Sequence, residues 1–169
     1  MKRLGSEALL ASALAGCAVN FPQNAEEYRK AAPGAMFGKT ETLEVNRPFR
    51  QVASTFQRKA PECLNIAVRT TERSTTSYHV VETVYKPTVL LGKERAELHV
   101  QIEYKKGVIV PGKVPEGGNY LLVADAYPLA GGSRTRFQWF GPSRGHDTLI
   151  RAVKGWATGE NLGCPDLTK

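Results

Sequence analysis

A serine in a glycine-flanked turn is the residue of this chain that most resembles a catalytic nucleophile. Residues 141–145 (GPSRG) match the pattern G-x-S-x-G and lie between a predicted strand and a predicted helix, where a nucleophile elbow would lie. The rest of a catalytic triad does not follow. The pattern needs a parallel sheet and the order serine, acid, histidine, whereas the histidine that follows Ser143 is the nearby His146. We therefore interpret Ser143 as a helix cap and predict no catalytic residue.

The other histidines and the carboxylates are arranged for neither metal binding nor proton transfer. His79 and His99 lie on consecutive predicted strands, but the turn signal at residues 91–93 lies too late in the chain to bring them side by side. No third metal ligand is evident in the sequence. Glu97 is expected on a solvated strand face, where nothing would hold it for acid–base work. The sequence therefore predicts no metal, no cofactor and no enzymatic activity.

Three cysteines, Cys17, Cys63 and Cys164, complete the set of reactive side chains. An odd number in an exported chain leaves one thiol without a partner. If Cys17 forms no disulfide, Cys63 and Cys164 are the remaining pair in an oxidising compartment. A bridge between them would close a loop of about 100 residues. That disulfide is the expectation, and two separate buried thiols are the alternative. A zinc site is disfavoured because neither cysteine has a nearby ligand at metal spacing.

The amino terminus, MKRLGSEALLASALAGCA, has the layout of a secretory signal. Two bases supply a positive start, residues 8–15 form a short apolar run, and Leu14-Ala15-Gly16-Cys17 closes it with small residues. This closing sequence resembles the lipobox of bacterial lipoproteins, Leu-Ala-Gly-Cys. The resemblance implies diacylglycerol on the Cys17 thiol, cleavage after Gly16 and acylation, for example with palmitate, of the new amino terminus. The alternative is an amphipathic helix with a buried cysteine.

The same resemblance implies a location. Ala18 stands where, in the family pattern, an aspartate retains a lipoprotein at the inner membrane. We therefore expect a lipid anchor in the outer membrane, on its periplasmic face. Each buried CH₂ contributes about 0.8 kcal/mol, so two or more acyl chains hold a protein stably. The predicted organisation is a signal peptide at 1–16, the lipidated cysteine and a tether at 17–38 with a helical turn near 25–31, and one globular domain at 39–169.

Apolar periodicity in residues 39–169 predicts the order strand, helix, five strands, helix. The first helix is expected to open with Asn46 as its cap and Pro48 in its first turn, and to end at Pro61. Strands are predicted at 40–45, 64–68, 77–86, 96–104, 120–127 and 135–140. This pattern implies an α+β fold in which an antiparallel sheet of about six strands is covered on one face by two helices.

That order of elements resembles the helix-grip fold, also described as TATA-binding-protein-like. The fold occurs in a lipoprotein component of the outer-membrane β-barrel assembly machine, and START-type ligand-binding domains have a related order. The resemblance rests on topology, with no sequence motif behind it, so what it implies for function is weaker than what it implies for fold.

Composition and charge restrict the partners. The 169 residues, 41% hydrophobic and 23% charged, fit one globular domain, and no apolar run approaches the roughly 18–20 residues that span a bilayer. The formal net charge of +7 falls by only one if the signal is removed, so the excess belongs to the folded part. We expect no nucleic-acid partner because the chain is expected to be exported and carries no nucleic-acid-binding motif.

We expect a non-enzymatic binding or scaffolding module for a cell-envelope partner, such as a protein, anionic lipid or lipopolysaccharide. The expected surface combines a polar sheet face with the basic connection after it: His99, Gln101, Lys105, Lys106, Arg136 and Gln138. The alternative is a carrier of a small apolar ligand, held between the sheet and the last helix near Phe137, Trp139 and Trp156. The sequence leaves the oligomeric state open.

Overall fold

The structure is a computed structural model that describes residues 21–73, 78–106, 108–110 and 112–168. Three helices, six strands and two short 3₁₀ helices lie in this part of the chain. In chain order they are α1 (Ala25–Ala31), a 3₁₀ helix (Ala32–Gly34), β1 (Gly38–Val45), α2 (Phe49–Leu64), β2 (Ala67–Arg73), β3 (Tyr78–Leu91), β4 (Ala96–Lys106), β5 (Asn119–Leu129), a 3₁₀ helix (Ala130–Gly132), β6 (Arg134–Pro142) and α3 (Asp147–Thr158). The predicted signal peptide and Cys17 lie outside the described residues.

The six strands form one sheet in the order β1-β6-β5-β4-β3-β2, and every neighbouring pair is antiparallel. Strands β2 to β6 follow one another as neighbours, while β1 pairs with β6 at the far edge. This confirms the predicted α+β class, the strand number and a helix-grip-like arrangement. His79 is opposite Glu72 on β2 and His99 is opposite Thr88 on β3, so the two histidines lie at different levels of the sheet.

Helix α2 covers one face of the sheet because its apolar residues recur on one side. Val52, Phe56 and Ala60 are completely buried in the main core. The helix starts at Phe49 with Pro48 as its N-cap, and no side chain caps it, so the prediction of Asn46 as cap is wrong. The predicted end at Pro61 is also wrong, because the helix continues to Leu64. Burial of its last residues in the core stabilises the turn that follows the proline.

Helix α3 covers the same face. Leu149, Val153 and Trp156 are buried, and the helix ends at Thr158 with Gly159 as its C-cap, where a φ of 86° suits glycine. The helix begins at Asp147 with His146 as its N-cap residue, so the prediction of Ser143 as cap is wrong. A longer turn separates β6 from α3 than the sequence signal indicated.

The other face of the sheet is partly covered by α1. Ala25 and Ala32 are buried against Val123 and Phe140, and Tyr28 packs beside them. The sequence predicts a tether over residues 17–38, whereas the described part of that segment is folded onto the sheet. Asn24 accepts a hydrogen bond from the Glu27 backbone N–H at 2.9 Å, which caps the helix. A second, smaller apolar cluster therefore lies beneath α1.

Cys63 and Cys164 form a disulfide whose Cα atoms are 5.1 Å apart, as the sequence predicts. It links the last turn of α2 to the carboxyl-terminal tail, which also contributes Leu167 to the main core. Glu62 lies beside the two sulfurs, but sulfurs joined to each other are not metal ligands. In the described part of the chain, no helix has the length and apolar character needed to cross a bilayer.

Candidate functional site

The polar face that the sequence predicts as one partner surface is divided by the structure. His99 and Gln101 are 7% and 8% exposed, since α1 and the loop between β4 and β5 lie over that part of the sheet. The expectation that these two residues contact a partner is therefore corrected. Lys105 and Lys106 are exposed at the end of β4, Arg136 is exposed on β6, and Gln138 is half-buried. The guanidinium of Arg136 lies over the Tyr127 ring, 4.7 Å from its centroid.

Arg29 holds α1 on the sheet through buried ion pairs. Its Nε and one terminal nitrogen donate to the two carboxylate oxygens of Asp125, each at 2.7 Å, in a bidentate arrangement. The same terminal nitrogen donates to Glu97. The Asp125 side chain is completely buried and that of Arg29 is 9% exposed. Sequence analysis missed this pair because its members are 96 residues apart and no local pattern connects them.

Glu97 extends this cluster along the sheet. It pairs with Arg95 at 2.9 Å, and one of its carboxylate oxygens is 3.0 Å from Nε2 of His99. Burial alone would raise the pKa of Glu97, but the hydrogen bonds from Arg29 and His99 outweigh burial and lower it. For Arg29, burial disfavours the charged form, but the bonds to Asp125 and Glu97 raise its pKa. Both shifts favour the charged forms of Glu97 and Arg29 that make the ion pair.

Gln101 anchors the long β4–β5 connection. Its side-chain nitrogen donates to the backbone carbonyls of Glu116 and Gly118, each at 2.8 Å. Gly118 has a φ of 109°, and a Cβ there would lie 2.3 Å from the Ile102 carbonyl oxygen, so the position requires glycine. The loop is therefore fixed at its carboxyl-terminal end.

The G-x-S-x-G turn ties the amino-terminal segment to the sheet. The backbone N–H of Ser143 donates to the Phe37 carbonyl at 2.7 Å. His146 is the N-cap residue of α3, and burial lowers its pKa while Asp147 opposes the shift. The surrounding sheet is antiparallel, unlike the parallel sheet that a nucleophile elbow requires. The turn thus has a structural role in the fold.

An apolar groove of about 410 Å³ lies between the amino-terminal segment and the sheet. Its walls are Pro22, Tyr28, Ala31, Ala32, Ala35, Met36, Phe37, Gly38, Tyr120, Leu121, Gly141 and Pro142. The Tyr28 hydroxyl donates to the Leu121 carbonyl at 2.6 Å, and burial raises its pKa. The volume is within the range of small-molecule sites, about 300–1,000 Å³.

The groove predicted near the aromatic residues is filled. Phe137 and Trp156 are completely buried and Trp139 is 2% exposed, so all three belong to the main core. The Trp156 indole N–H donates to the Gly163 carbonyl at 2.9 Å, which closes the end of α3 against the tail. The apolar groove at the amino-terminal segment was not predicted, because the sequence places residues 22–38 in a tether.

Several exposed apolar and basic side chains lie at one end of the sheet, where β1 and β5 begin and β4 and β6 end. We call it the N-terminal edge; it comprises the segment before β1, the β4–β5 loop and the turn after β6. Its exposed residues include Met36, Phe37, Lys105, Lys106, Val108, Ile109, Lys113 and Arg144. Met36 and Ile109 are 88% and 96% exposed, and the Arg144 guanidinium lies 3.8 Å from the centroid of the Phe37 ring.

No protein-family model and no curated protein sequence matches the chain. Among solved structures, it is similar to a START superfamily protein from Mycobacterium smegmatis, with 12% identity, 73% of this chain and 96% of that chain covered, and a TM-score of 0.36. It is also similar to a protein from Arthrobacter aurescens solved by NMR in solution, with 10% identity, 81% of each chain covered and a TM-score of 0.30.

Proposed function

We propose that this chain is a lipid-anchored protein of the bacterial outer membrane, facing the periplasm, whose domain is a non-enzymatic binding or scaffolding module. The observation that carries the proposal is the sequence Leu14-Ala15-Gly16-Cys17 at the end of a short apolar run, with a folded segment starting at residue 22. The Cys63–Cys164 disulfide supports an oxidising compartment such as the periplasm. Lipid on Cys17 would then be the membrane partner.

A binding role is favoured over catalysis by the state of the ionisable side chains. Arg29, Asp125 and Glu97 are buried and bonded to one another, so they hold α1 in place and do not face a substrate. The polar residues that α1 leaves uncovered on the same face include Arg136 and Gln138. We propose this uncovered strip as the contact for an acidic envelope protein.

Mass spectrometry of the mature protein under non-reducing conditions tests the anchoring. The expected mass combines loss of residues 1–16, added acyl groups on Cys17 and a loss of two hydrogens for the disulfide. A Cys17→Ser variant is the control and should leave the membrane fraction. A wild-type protein that keeps residues 1–16 and carries no lipid would refute the anchoring.

Crosslinking in the periplasm tests the binding role. A specific envelope protein should be captured by the wild type and be lost with Arg136→Glu. The matched control is Arg151→Glu, a charge reversal at an exposed position of α3 on the opposite face of the sheet. Equal capture by both variants would exclude the proposed strip, and recovery of lipid alone would exclude a protein partner.

The apolar groove favours a second function, that of a carrier for a small apolar ligand. Its walls are almost entirely apolar and its volume fits such a molecule. Ala35→Trp would fill the groove from its exposed rim. A fluorescent apolar probe such as 1-aminoanthracene should bind the wild type and lose affinity for the variant. Equal binding to both would exclude the groove as the ligand site.

A further inference from the structure

The described chain begins at the N-terminal edge. The side-chain nitrogen of Gln23 donates to the Lys113 carbonyl at 3.0 Å, and Pro22 lines the groove beside Met36. The first described residues are thus fixed between the β4–β5 loop and the segment before β1. Pro22 lies five positions after Cys17, and five residue steps span at most about 18 Å when fully extended. A lipid on Cys17 would therefore hold a bilayer close to this edge.

Several apolar side chains at this edge are largely exposed to solvent. Ile109 is 96% exposed and Met36 is 88% exposed, while Phe37 and Val108 are 48% and 41% exposed. Single exposed apolar residues are ordinary on a protein surface. Here, four of them lie on two segments, and the first described residues contact both segments. A bilayer would remove them from water.

Basic side chains flank these apolar residues along the chain. Lys105, Lys106 and Lys113 flank the loop that carries Ile109, and Arg144 lies over Phe37. The nearby Glu103 is paired with Lys105 and with Lys86, which lowers its pKa to about 2. Glu116 is an exposed acid in the same loop. Exposed apolar side chains flanked mainly by bases match the chemistry of an anionic membrane surface, in which acyl chains lie beneath charged headgroups.

We propose that the N-terminal edge is a membrane-docking surface: Ile109 and Met36 enter the interfacial layer of an anionic lipid bilayer, and the surrounding bases contact its headgroups. This inference rests on the proposed lipidation of Cys17, which supplies the attachment. The edge then fixes the orientation of the domain, with the β3–β4 hairpin directed away from the bilayer.

Tryptophan quenching by brominated lipid tests the orientation on the mature, full-length protein. The variants Ile109→Trp and Met36→Trp are bound to vesicles of phosphatidylethanolamine and phosphatidylglycerol with brominated acyl chains. The matched control is Leu91→Trp in the β3–β4 hairpin at the opposite edge, where Leu91 is 48% exposed. The native Trp139 and Trp156 are buried and supply a common baseline.

Interfacial side chains enter about 5–10 Å into the headgroup and acyl boundary. Brominated lipid should therefore reduce the fluorescence of the tryptophan introduced at position 109 or 36 by about two-fold. The fluorescence of the tryptophan introduced by Leu91→Trp should not change. Equal quenching at both edges, or none at either, in protein that co-sediments with the vesicles would overturn the docking surface. Protein that lacks the lipid mass and does not co-sediment would instead refute the proposed anchoring.

Headgroup contact is tested by a second comparison. Lys113→Glu in the Ile109→Trp background reverses one base at the docking surface, whereas Lys93→Glu reverses one in the opposite hairpin. Quenching should decrease with the first variant and stay constant with the second. An unchanged signal with Lys113→Glu would remove the electrostatic part of the proposal.

Discussion

Replacing Arg29 by methionine tests whether the buried ion cluster holds α1 on the sheet. Methionine keeps the helix propensity and the unbranched apolar stem of the side chain but removes the cation. Asp125, whose side chain is completely buried, would lose both of its 2.7 Å bonds to Arg29, and Glu97 would lose a third. Removing one partner of a buried pair costs about 3–5 kcal/mol.

Local detachment of the amino-terminal helix can reduce that loss. Helix α1 can detach, which returns Asp125 to water but gives up the packing of Tyr28 and its hydrogen bond to Leu121. We therefore expect the lower end of the range, about 3 kcal/mol, which for a domain of this size lowers Tm by about 6–12 °C. Urea and thermal unfolding followed by circular dichroism under oxidising conditions measure both quantities.

Two further variants separate the buried pair from general effects on the helix. Lys30→Met changes an exposed cation on the same helix and should alter the free energy of unfolding by no more than about 0.5 kcal/mol. Arg29→Met combined with Asp125→Leu replaces both charges with apolar groups and should recover much of the loss. If Arg29→Met is as stable as Lys30→Met, the cluster does not hold α1, and the reasoning is refuted.

Three other changes have defined outcomes. Replacing both Cys63 and Cys164 by serine removes a disulfide between residues 101 positions apart and should lower the free energy of unfolding by about 2–5 kcal/mol. Wild type with its disulfide reduced should be as stable as this variant. Gly38→Ala places a Cβ 1.7 Å from a carbonyl oxygen of the preceding 3₁₀ helix and should raise the protease sensitivity of residues 22–38, whereas Gly34→Ala, with nothing within 4 Å, should not. The pKa of Glu97 is lowered from 4.5 in the folded state, so its contribution to stability is complete above pH 4.5 and is lost as pH falls through the folded pKa. The free energy of unfolding, measured across that pH range, should therefore fall less steeply in acid for Glu97→Gln than for wild type. An equal slope for both proteins would contradict this.

The centre of the main sheet was predictable because the sequence of β4 alternates strictly. Residues 96–104 switch between apolar and polar at every position, which placed Leu98 and Val100 in the core and His99 on the other face. The alternation identifies the two faces but does not show whether the polar one contacts water. His99 was expected to be solvated, and it is buried because a distant segment covers it.

The covering segment was not predictable for a physical reason. Residues 24–30 carry local helix signals, with a capping asparagine, acids in the first turn and bases in the last. Those signals predict a short helix, and a helix of seven residues is marginal without tertiary contacts. Its docking depends on the Arg29–Asp125 pair, which only the folded sheet brings together. The groove beneath the segment was missed for the same reason.

The ion cluster and the proposed membrane contact depend on each other through the length of free chain. With α1 docked, the chain from Cys17 to Pro22 reaches at most about 18 Å, so one edge of the domain must stay near an anchored lipid. With α1 detached, the free chain extends to Gly38. About 21 flexible residues have a root-mean-square span of about 25 Å and a maximum span of about 75 Å. Such a tether would let the domain turn over. Under the proposed anchoring, the buried charges of Arg29, Asp125 and Glu97 therefore help to keep the N-terminal edge near the bilayer, and Arg29→Met should reduce the difference in quenching between Ile109→Trp and Leu91→Trp.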